Sequence, residues 1–229
     1  MSKKLSIVVP CYNESLNIVA SFERIKKNIE KITENYEIIF VDDGSTDNSA
    51  EILAKNAQRE KNLKVLQFSR NFGHQSAMFA GIEYSSGDGI FLIDADLQDP
   101  PEKFQEMYEK WVAGYDVVYG VRKSRQRRSF IRKFLYSTYH KVFKSLSDLK
   151  NQEDLVDFCL IDSKVRNELI KLRENNVYFR GLRSWVGFKQ IGIPYDQKDR
   201  ELGETKYSIN KLFILALDGI LNFSVKPLN

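Results

Sequence analysis

Apolar residues in this chain come in short β-branched runs separated by stretches with helical spacing. "LSIVVP" (5–10) reads as a strand. Apolar positions then recur at Leu16, Ile18, Val19, Phe22, Ile25, Ile29 and Ile32, the spacing of one helix face, with Ser15 as the expected N-cap. "YEIIFVDDGS" (36–45) predicts a second strand and turn, followed by a helix with Ser45 or Thr46 near its start. "LKVLQFS" (63–69) predicts a third strand, 73–85 a helix, and "GIFLIDAD" (89–96) a fourth strand. A helix over 101–114 carries Pro101 near its first turn, and "YDVVYGVR" (115–122) predicts a fifth strand.

Strands alternating with helices imply parallel pairing in a doubly wound α/β sheet. In such a sheet ligands bind outside the carboxyl ends of the strands. Here those ends are "PCYNE", "VDDGSTD", "SRNFG", "DADLQD" and "GVRKSR", and all five are expected to face one cleft. Beyond residue 122 the pattern turns basic and helical-looking, and 176–229 is mixed, with no evident linker.

The fourth strand raises the sharpest question, because "FLIDADLQDPPE" sets an apolar strand against Asp94, Asp96, Asp99 and Glu102. Asp94 and Asp96 share one face if the chain stays extended. Two close carboxylates repel unless a cation lies between them. Oxygen ligands without His or Cys nearby favour Mg²⁺ or Mn²⁺, which completes its shell with water and phosphate oxygens. The carboxylates are therefore expected to hold a metal, and the metal a diphosphate. Asp99 and Glu102 read equally well as caps of the following helix. Asp42 and Asp43, before Gly44, read as acceptors for a base N–H or a ribose hydroxyl, or as turn caps.

The chain has 229 residues and a net charge of +4, and its two cysteines, Cys11 and Cys159, lie far apart among apolar neighbours. This fits a reducing compartment and argues against a disulfide framework or a zinc site. The apolar run in "MSKKLSIVVPCYNE" is too short for a signal peptide. The longest apolar stretch, 212–225, is interrupted by Asp218 and falls short of the ~20 residues of a spanning helix.

Between Asp116 and Asp148 there are nine Lys or Arg and no Asp or Glu, densest in "RKSRQRRSFIRKF" (122–134). A solvated face or a nucleic-acid surface would give such a run. The aromatics, however, are interleaved at helical rather than stacking spacing, so no nucleic-acid partner is expected. An anionic membrane surface fits better. In "NKLFILALDGILNFSVKPL", Lys211, Asp218, Asn222 and Lys226 form a narrow polar stripe on an otherwise apolar segment. That pattern predicts an interfacial helix, with an ordinary core helix as the alternative.

Taken together, "VVPCYNE", "IIFVDDGSTDNS", "FSRNFGHQSAMFAGIEYSSGD" and "FLIDADLQDPPE" resemble the family 2 inverting glycosyltransferases of the GT-A fold. "DADLQDPPE", "YDVVYGVR", "DLVDFCLID" and the stretch from "GLRSWVGFKQ" to "FSVKPL" are most similar to the polyprenyl-phosphate branch. That branch includes dolichol-phosphate mannose synthases and bacterial glucosyltransferases of the GtrB type. The resemblance covers essentially the whole chain. It implies a GT-A catalytic domain over 1–207 and a juxtamembrane amphipathic segment over 208–229. It also implies transfer of a hexose from a nucleoside diphosphate sugar, UDP-glucose or UDP-N-acetylglucosamine ahead of GDP-mannose, to a polyprenyl phosphate. The site is expected at the cytoplasmic face of the membrane, and a homo-oligomer assembled there.

By the same resemblance, Pro10, Tyr12, Glu14 and Asp42 match nucleotide-binding positions. Asp94 and Asp96 match the pair that holds metal and diphosphate, with Gln98 beside them, and Asp157 matches a proposed catalytic aspartate. Arg122, Arg132 and Arg200 match basic positions near the diphosphate and acceptor phosphate, and Lys206 and Tyr207 lie in a matching "GETKY". Two departures stand out. Many relatives read "GDFRL" where this chain reads "VDFCL", so Val156 and Cys159 replace Gly and Arg. Relatives also commonly continue into two transmembrane helices where this chain ends, which reads as a shortened form or a soluble domain.

Three other readings have weaker support. A phosphoacceptor receiver domain places its acidic pair after strand one, not strand two. A nucleotidyltransferase needs a glycine-rich basic loop where "PCYNESLN" stands. A catalytically silent membrane-bound sugar-nucleotide binding module would share every site residue.

Overall fold

The computed structural model describes residues 3–123, 156–172 and 179–197. Their elements run β1 (Leu5–Cys11), α1 (Ile18–Ile29), β2 (Tyr36–Asp42), α2 (Ser49–Ala57), β3 (Leu63–Gln67), α3 (His74–Tyr84) and β4 (Gly89–Leu92). A 3₁₀ turn (Pro101–Lys103) leads into α4 (Phe104–Val112) and β5 (Val117–Arg122). Then come β6 (Cys159–Asp162), α5 (Ser163–Lys171), α6 (Phe179–Trp185) and β7 (Gln190–Tyr195).

The strands form one sheet in the order β3-β2-β1-β4-β6-β5-β7. β1, β2, β3 and β4 pair in parallel, as do β5 and β7. β6 runs antiparallel to both its neighbours, β4 and β5. Mostly parallel pairing is thus as expected, and the reversed strand comes from the part of the chain with no clear pattern. Because β6 runs backwards, its start lies at the edge where the other strands end.

The central strands are buried on both faces, which is why they read as continuous apolar runs. Leu5, Ile7 and Val9 of β1 pack with Phe22, Ile25 and Ile29 of α1 and with Phe104, Met107 and Trp111 of α4. Val8, Ile39 and Val41 point the other way, into a core with Ala77, Met78 and Ile82 of α3, Val165 of α5 and Leu182 of α6. Helices on both faces make three layers. At Gly81, a Cβ would come within 2.2 Å of Val8 Cγ1. The missing side chain lets α3 lie directly on β1.

Several expected boundaries move. α1 begins after Asn17, so Ser15 is not its N-cap, and Leu16 and Val19 are exposed. α2 begins at Ser49, whose N–H bonds to Asp47 Oδ1 at 2.9 Å, while Ser45 and Thr46 belong to the preceding turn. β4 stops at Leu92 rather than 96. The segments 124–155 and 198–229, with the interfacial helix expected there and all of the basic run beyond Arg122 and Lys123, lie outside the described residues. Among the described residues no helix is long and apolar enough to cross a membrane.

At the opposite edge of the sheet, Glu37 joins three segments. Its Oε1 accepts from Ser6 Oγ (2.6 Å), Ser86 N (2.8 Å) and Ser86 Oγ (2.8 Å), and its Oε2 pairs with Lys64 Nζ at 2.7 Å. Burial alone would raise this carboxyl; Lys64, Ser6 and Ser86 outweigh burial and hold it at about 2, against an ordinary 4.5. The folded-state value lies below the unfolded one. Its contribution is therefore complete above pH 4.5 and is lost as pH falls from there towards 2. That difference corresponds to about 3 kcal/mol. Glu37→Gln is expected to lower urea-unfolding stability by about that much at pH 7. The gap between variant and wild type should close steadily below pH 4.5 in the same titration.

Candidate active site

The β1–β4 ladder ends with Val8 opposite Leu92 and the Ile93 N–H bonded to Val8 O at 3.1 Å. β1 continues alongside β2 to Cys11, passing through Pro10. Proline has no N–H to donate, and by this point β4 has ended and no longer needs one. In this strand order β1 and β4 flank the topological switch point, where an open sheet offers a crevice to ligands.

On one side of the crevice the β1 and β2 loops are stitched together. Asn13 adopts a left-handed conformation (φ 53°), which Asn tolerates better than most residues. Its Oδ1 accepts the Thr46 N–H at 2.7 Å and the Asp47 N–H at 3.3 Å, and its own N–H donates to Ser45 Oγ at 2.8 Å. The Glu14 N–H donates to Ser49 Oγ at 3.0 Å, while Glu14 Oε2 accepts from Asn17 Nδ2 at 2.6 Å. Tyr12, directly before these anchors, is partly buried. Gly44, at φ 67°, lies so close to the β3 loop that a Cβ would be 2.3 Å from the Arg70 carbonyl carbon. Asp43 accepts the N–H groups of Phe72 (2.7 Å) and Gly73 (3.0 Å), which fixes the entry to α3.

Asp42 is fully buried at the tip of β2. Its Oδ1 caps the turn by accepting the Ser45 N–H at 3.1 Å. Its Oδ2 is buried with no hydrogen-bond partner among the described residues. An unmatched buried acceptor is costly unless something supplies a donor.

On the other side lies the acidic loop after β4. Although the ladder has ended, the alternation of the strand persists. Ile93, Ala95, Leu97 and Asp99 are buried, while Asp94, Asp96 and Gln98 are partly exposed on the other face. Asp96 Oδ1 accepts the Gln98 N–H at 3.1 Å, and Leu97 takes a left-handed turn (φ 64°). Arg24 of α1 braces this turn, with Nη1 donating to Leu97 O at 3.0 Å while Nε and Nη2 grip Glu102 at 2.8 and 2.7 Å. Glu102 therefore pairs with α1 and makes no side-chain cap.

Asp99 does not cap a helix either. It is buried, and Tyr195 Oη donates to its Oδ1 at 2.6 Å. Arg122 Nε donates to Tyr195 Oη at 3.1 Å, and Arg122 Nη2 lies 3.6 Å from Asp99. Gln197 Nε2 reaches Gln98 Oε1 at 3.0 Å. The ends of β5 and β7 thus hold the acidic loop from below. Burial and the Asp94 charge, with Asp96 behind it, push the Asp99 carboxyl up to about 7 against the opposing Arg122 and Tyr195.

Three carboxyl groups crowded at one loop are the setting that a divalent cation relieves. Among the described residues no three His, Cys, Asp or Glu side chains form a closed metal cage. A cation held by one or two carboxylates, with water and phosphate completing its shell, fits Asp94 and Asp96.

The reversed β6 brings Asp157 to the same edge. Arg180 of α6 grips it with two bonds, Nε to Oδ1 at 3.0 Å and Nη2 to Oδ2 at 2.8 Å. His74, the first residue of α3, stands between the two acidic sites, with Nε2 3.5 Å from Asp94 Oδ1 and 4.0 Å from Asp157 Oδ2. α6 is docked there by the Phe179 N–H, which donates to Gln75 Oε1 at 2.9 Å. Burial would raise the Asp157 carboxyl; Arg180, with His74 and Arg183 behind it, outweighs burial and holds it at about 2.

Of the residues singled out by sequence, Pro10, Tyr12, Glu14, Asp42, Asp94, Asp96, Gln98, Arg122 and Asp157 all lie at this edge of the sheet. Arg132, Arg200, Lys206 and Tyr207 lie outside the described residues. Sequence reasoning missed His74, Arg180, Arg183, Tyr195 and the Arg24 brace. Only His74 had a local signal, since it follows Gly73 at the head of a helix aimed at the strand tips.

The family model for glycosyl transferase family 2 matches residues 6–170. Over 223 residues the chain is 47% identical to an uncharacterized glycosyltransferase, YkcC, of Bacillus subtilis (strain 168), covering 97% of this chain and 69% of that protein. It is 36% identical over 225 residues to a prophage bactoprenol glucosyl transferase homolog of Escherichia coli (strain K12), covering 98% and 74%. Its fold is similar to that of glucosyl-3-phosphoglycerate synthase from Mycobacterium tuberculosis, solved in complex with Mn²⁺, UDP and phosphoglyceric acid. The TM-score is 0.58 at 16% identity, covering 94% of this chain and 75% of that one. That structure has the GT-A architecture of a mostly parallel sheet between helices, and shares the fold alone. With the family match extending from β1 through α5 and carrying both acidic loops, the chain belongs to glycosyl transferase family 2 and is a glycosyltransferase.

Proposed function

We propose that this glycosyltransferase moves a hexose from a nucleoside diphosphate sugar, UDP-glucose or UDP-N-acetylglucosamine, to a polyprenyl phosphate at the cytoplasmic face of the membrane, with inversion at the anomeric carbon. The observation that carries this reading is the polarity of the crevice. Asp94 and Asp96 stand at one side, and Arg180 stands at the other with Arg183 behind it. A metal-bound diphosphate suits the first, and an anionic acceptor the second. The relatives named as bactoprenol glucosyl transferases support the choice of acceptor. The Mn²⁺–UDP complex of a fold neighbour supports a divalent metal, Mg²⁺ or Mn²⁺.

Asp42 would receive the base. Its Oδ2, unpartnered among the described residues, is one acceptor for one N–H, and Oδ1 already serves Ser45. Uracil offers a single N–H at N3, whereas guanine presents two adjacent donors that call for both oxygens. This favours UDP. Tyr12, Glu14 and the Asn13 turn would frame the nucleoside. Asp94 and Asp96, steadied by Gln98 and the Arg24 brace, would hold the cation. When bound, the cation would supply Lewis-acid neutralisation of charge on the leaving diphosphate. Arg122, preorganised by Tyr195 and Asp99, would add fixed positive charge at the same end.

Two measurements test the donor half. In calorimetry with UDP and GDP, each with and without Mn²⁺, the wild type is expected to bind UDP in a metal-dependent way and Asp96→Ala to lose that binding. A folded protein that binds neither nucleotide would exclude the reading. Asp42→Asn is expected to weaken UDP binding roughly tenfold or more, through loss of one charged hydrogen bond at a buried site. It should also shift preference towards CDP, whose N3 accepts what the new amide donates. Equal UDP affinity in the two proteins would remove Asp42 from the base site.

A further inference from the structure

Asp157 stands where a base for the attacking oxygen is expected, yet its surroundings suit another task. One guanidinium engages both of its oxygens, at 3.0 and 2.8 Å. A fork of this kind fixes the plane and direction of the arginine. The two partners differ in exposure, with 34% of the Arg180 side chain accessible against 9% for Asp157. The guanidinium is the member that a ligand can reach.

A second guanidinium lies behind the first. Arg183 is fully buried, its Nη1 donates to Val156 O at 3.0 Å, and its Nε and Nη2 have no hydrogen-bond partner among the described residues. It rests against the faces of Tyr119 and Phe179, 4.8 and 5.9 Å from their ring centres. Among the described residues, the charged groups facing Asp157 are thus Arg180 and Arg183 from α6 and His74 from α3. Among the described residues, two guanidiniums face this one carboxylate, an excess of positive charge. Buried charge of that kind calls for an anion nearby.

Resting on the polyprenyl phosphate reading above, we propose that Asp157 serves the reaction through Arg180: the carboxylate orients the guanidinium, and Arg180 receives the acceptor phosphate. The chemistry needs nothing more from Asp157. A phosphate monoester has its second pKa near ~6, so at pH 7 the attacking oxygen carries its own electron pair. It forms the new bond to the anomeric carbon as the bond from that carbon to the diphosphate oxygen breaks. The electron pair leaves with the nucleoside diphosphate, and no proton changes hands. Arg180 is then a binding residue and Asp157 a positioning residue.

Steady-state transfer to undecaprenyl phosphate in detergent micelles, with Mn²⁺–UDP calorimetry on the same preparations, tests the assignment. Arg180→Ala is expected to raise the acceptor KM roughly 10- to 100-fold, the range of a lost charge-assisted hydrogen-bond pair. UDP affinity should stay within about twofold. Arg180→Lys should fall between, since it keeps the charge and loses the fork. Asp157→Asn should raise the acceptor KM more than it lowers kcat. Its kcat/KM profile should keep the limb near pH ~6 set by the acceptor's own phosphate. A general base at Asp157 predicts the reverse: kcat falling about 10²- to 10⁴-fold at unchanged acceptor KM, with Arg180→Ala close to wild type. That result overturns the proposal. If Arg180→Ala has lost UDP binding through misfolding, Arg180→Lys carries the comparison, and an unmoved acceptor KM there overturns the Arg180 assignment alone. A wild type that binds UDP but transfers nothing to undecaprenyl phosphate overturns the acceptor reading and this assignment with it.

Discussion

The last hydrogen bond between β1 and β4 runs from Ile93 to Val8, and the site depends on where that ladder stops. β1 goes on for three residues beside β2, through a proline that needs no partner on the β4 side. The chain after Leu92 keeps the alternation of a strand without its pairing. Buried Ile93, Ala95 and Leu97 anchor it, and Asp94, Asp96 and Gln98 face the crevice. Had β4 continued to Asp96, its backbone would have been committed to β1. The acidic loop is instead held by side chains: Arg24 from above, and Tyr195 and Gln197 from the end of β7.

Electrostatic opposition then divides the crevice. Asp94, Asp96 and Asp99 gather negative charge at the β4 end, where burial and mutual repulsion push Asp99 up to about 7. Arg180 and Arg183 gather positive charge around Asp157, which they hold at about 2. His74 spans the boundary. Strand reversal makes this arrangement possible. Only because β6 runs antiparallel does Asp157, two residues before it, arrive at the edge where β1, β2, β4 and β5 end.

The first half of this architecture was legible because each strand and helix there carries its own period, and each strand tip carries its own polar cluster. Tertiary pairing set the boundaries that moved. β4 stops at Leu92 because the sheet opens there, a fact that "FLIDAD" does not encode. Ser15 is drawn instead into a turn held from another loop, its N–H donating to Asp47 Oδ2 at 3.2 Å, and the helix begins only after Asn17. The arginines of "FRGLRSW" gave no signal of a role in the site, though "GLRSW" carried part of the family resemblance. Their roles come from α6 docking on α3 and from a reversed strand, both non-local. Tyr195 looks like an ordinary strand aromatic until Asp99, ninety-six positions earlier, is found against its hydroxyl.

One departure from the family pattern becomes intelligible in the same terms. The resemblance drawn from the sequence implied arginine where Cys159 stands, so this position read as a missing basic residue. In the fold that position is a buried thiol in β6, raised to about 11 by burial, with the Arg183 charge opposing the rise. A guanidinium therefore does lie at this spot, delivered by α6 rather than by β6. Arginine at 159 would bring a third guanidinium beside Arg180 and Arg183, with Asp157 the carboxylate that faces them among the described residues. Cysteine at 159 instead adds no charge beside Arg180 and Arg183, so the buried Arg183 remains the charge that β6 packs against.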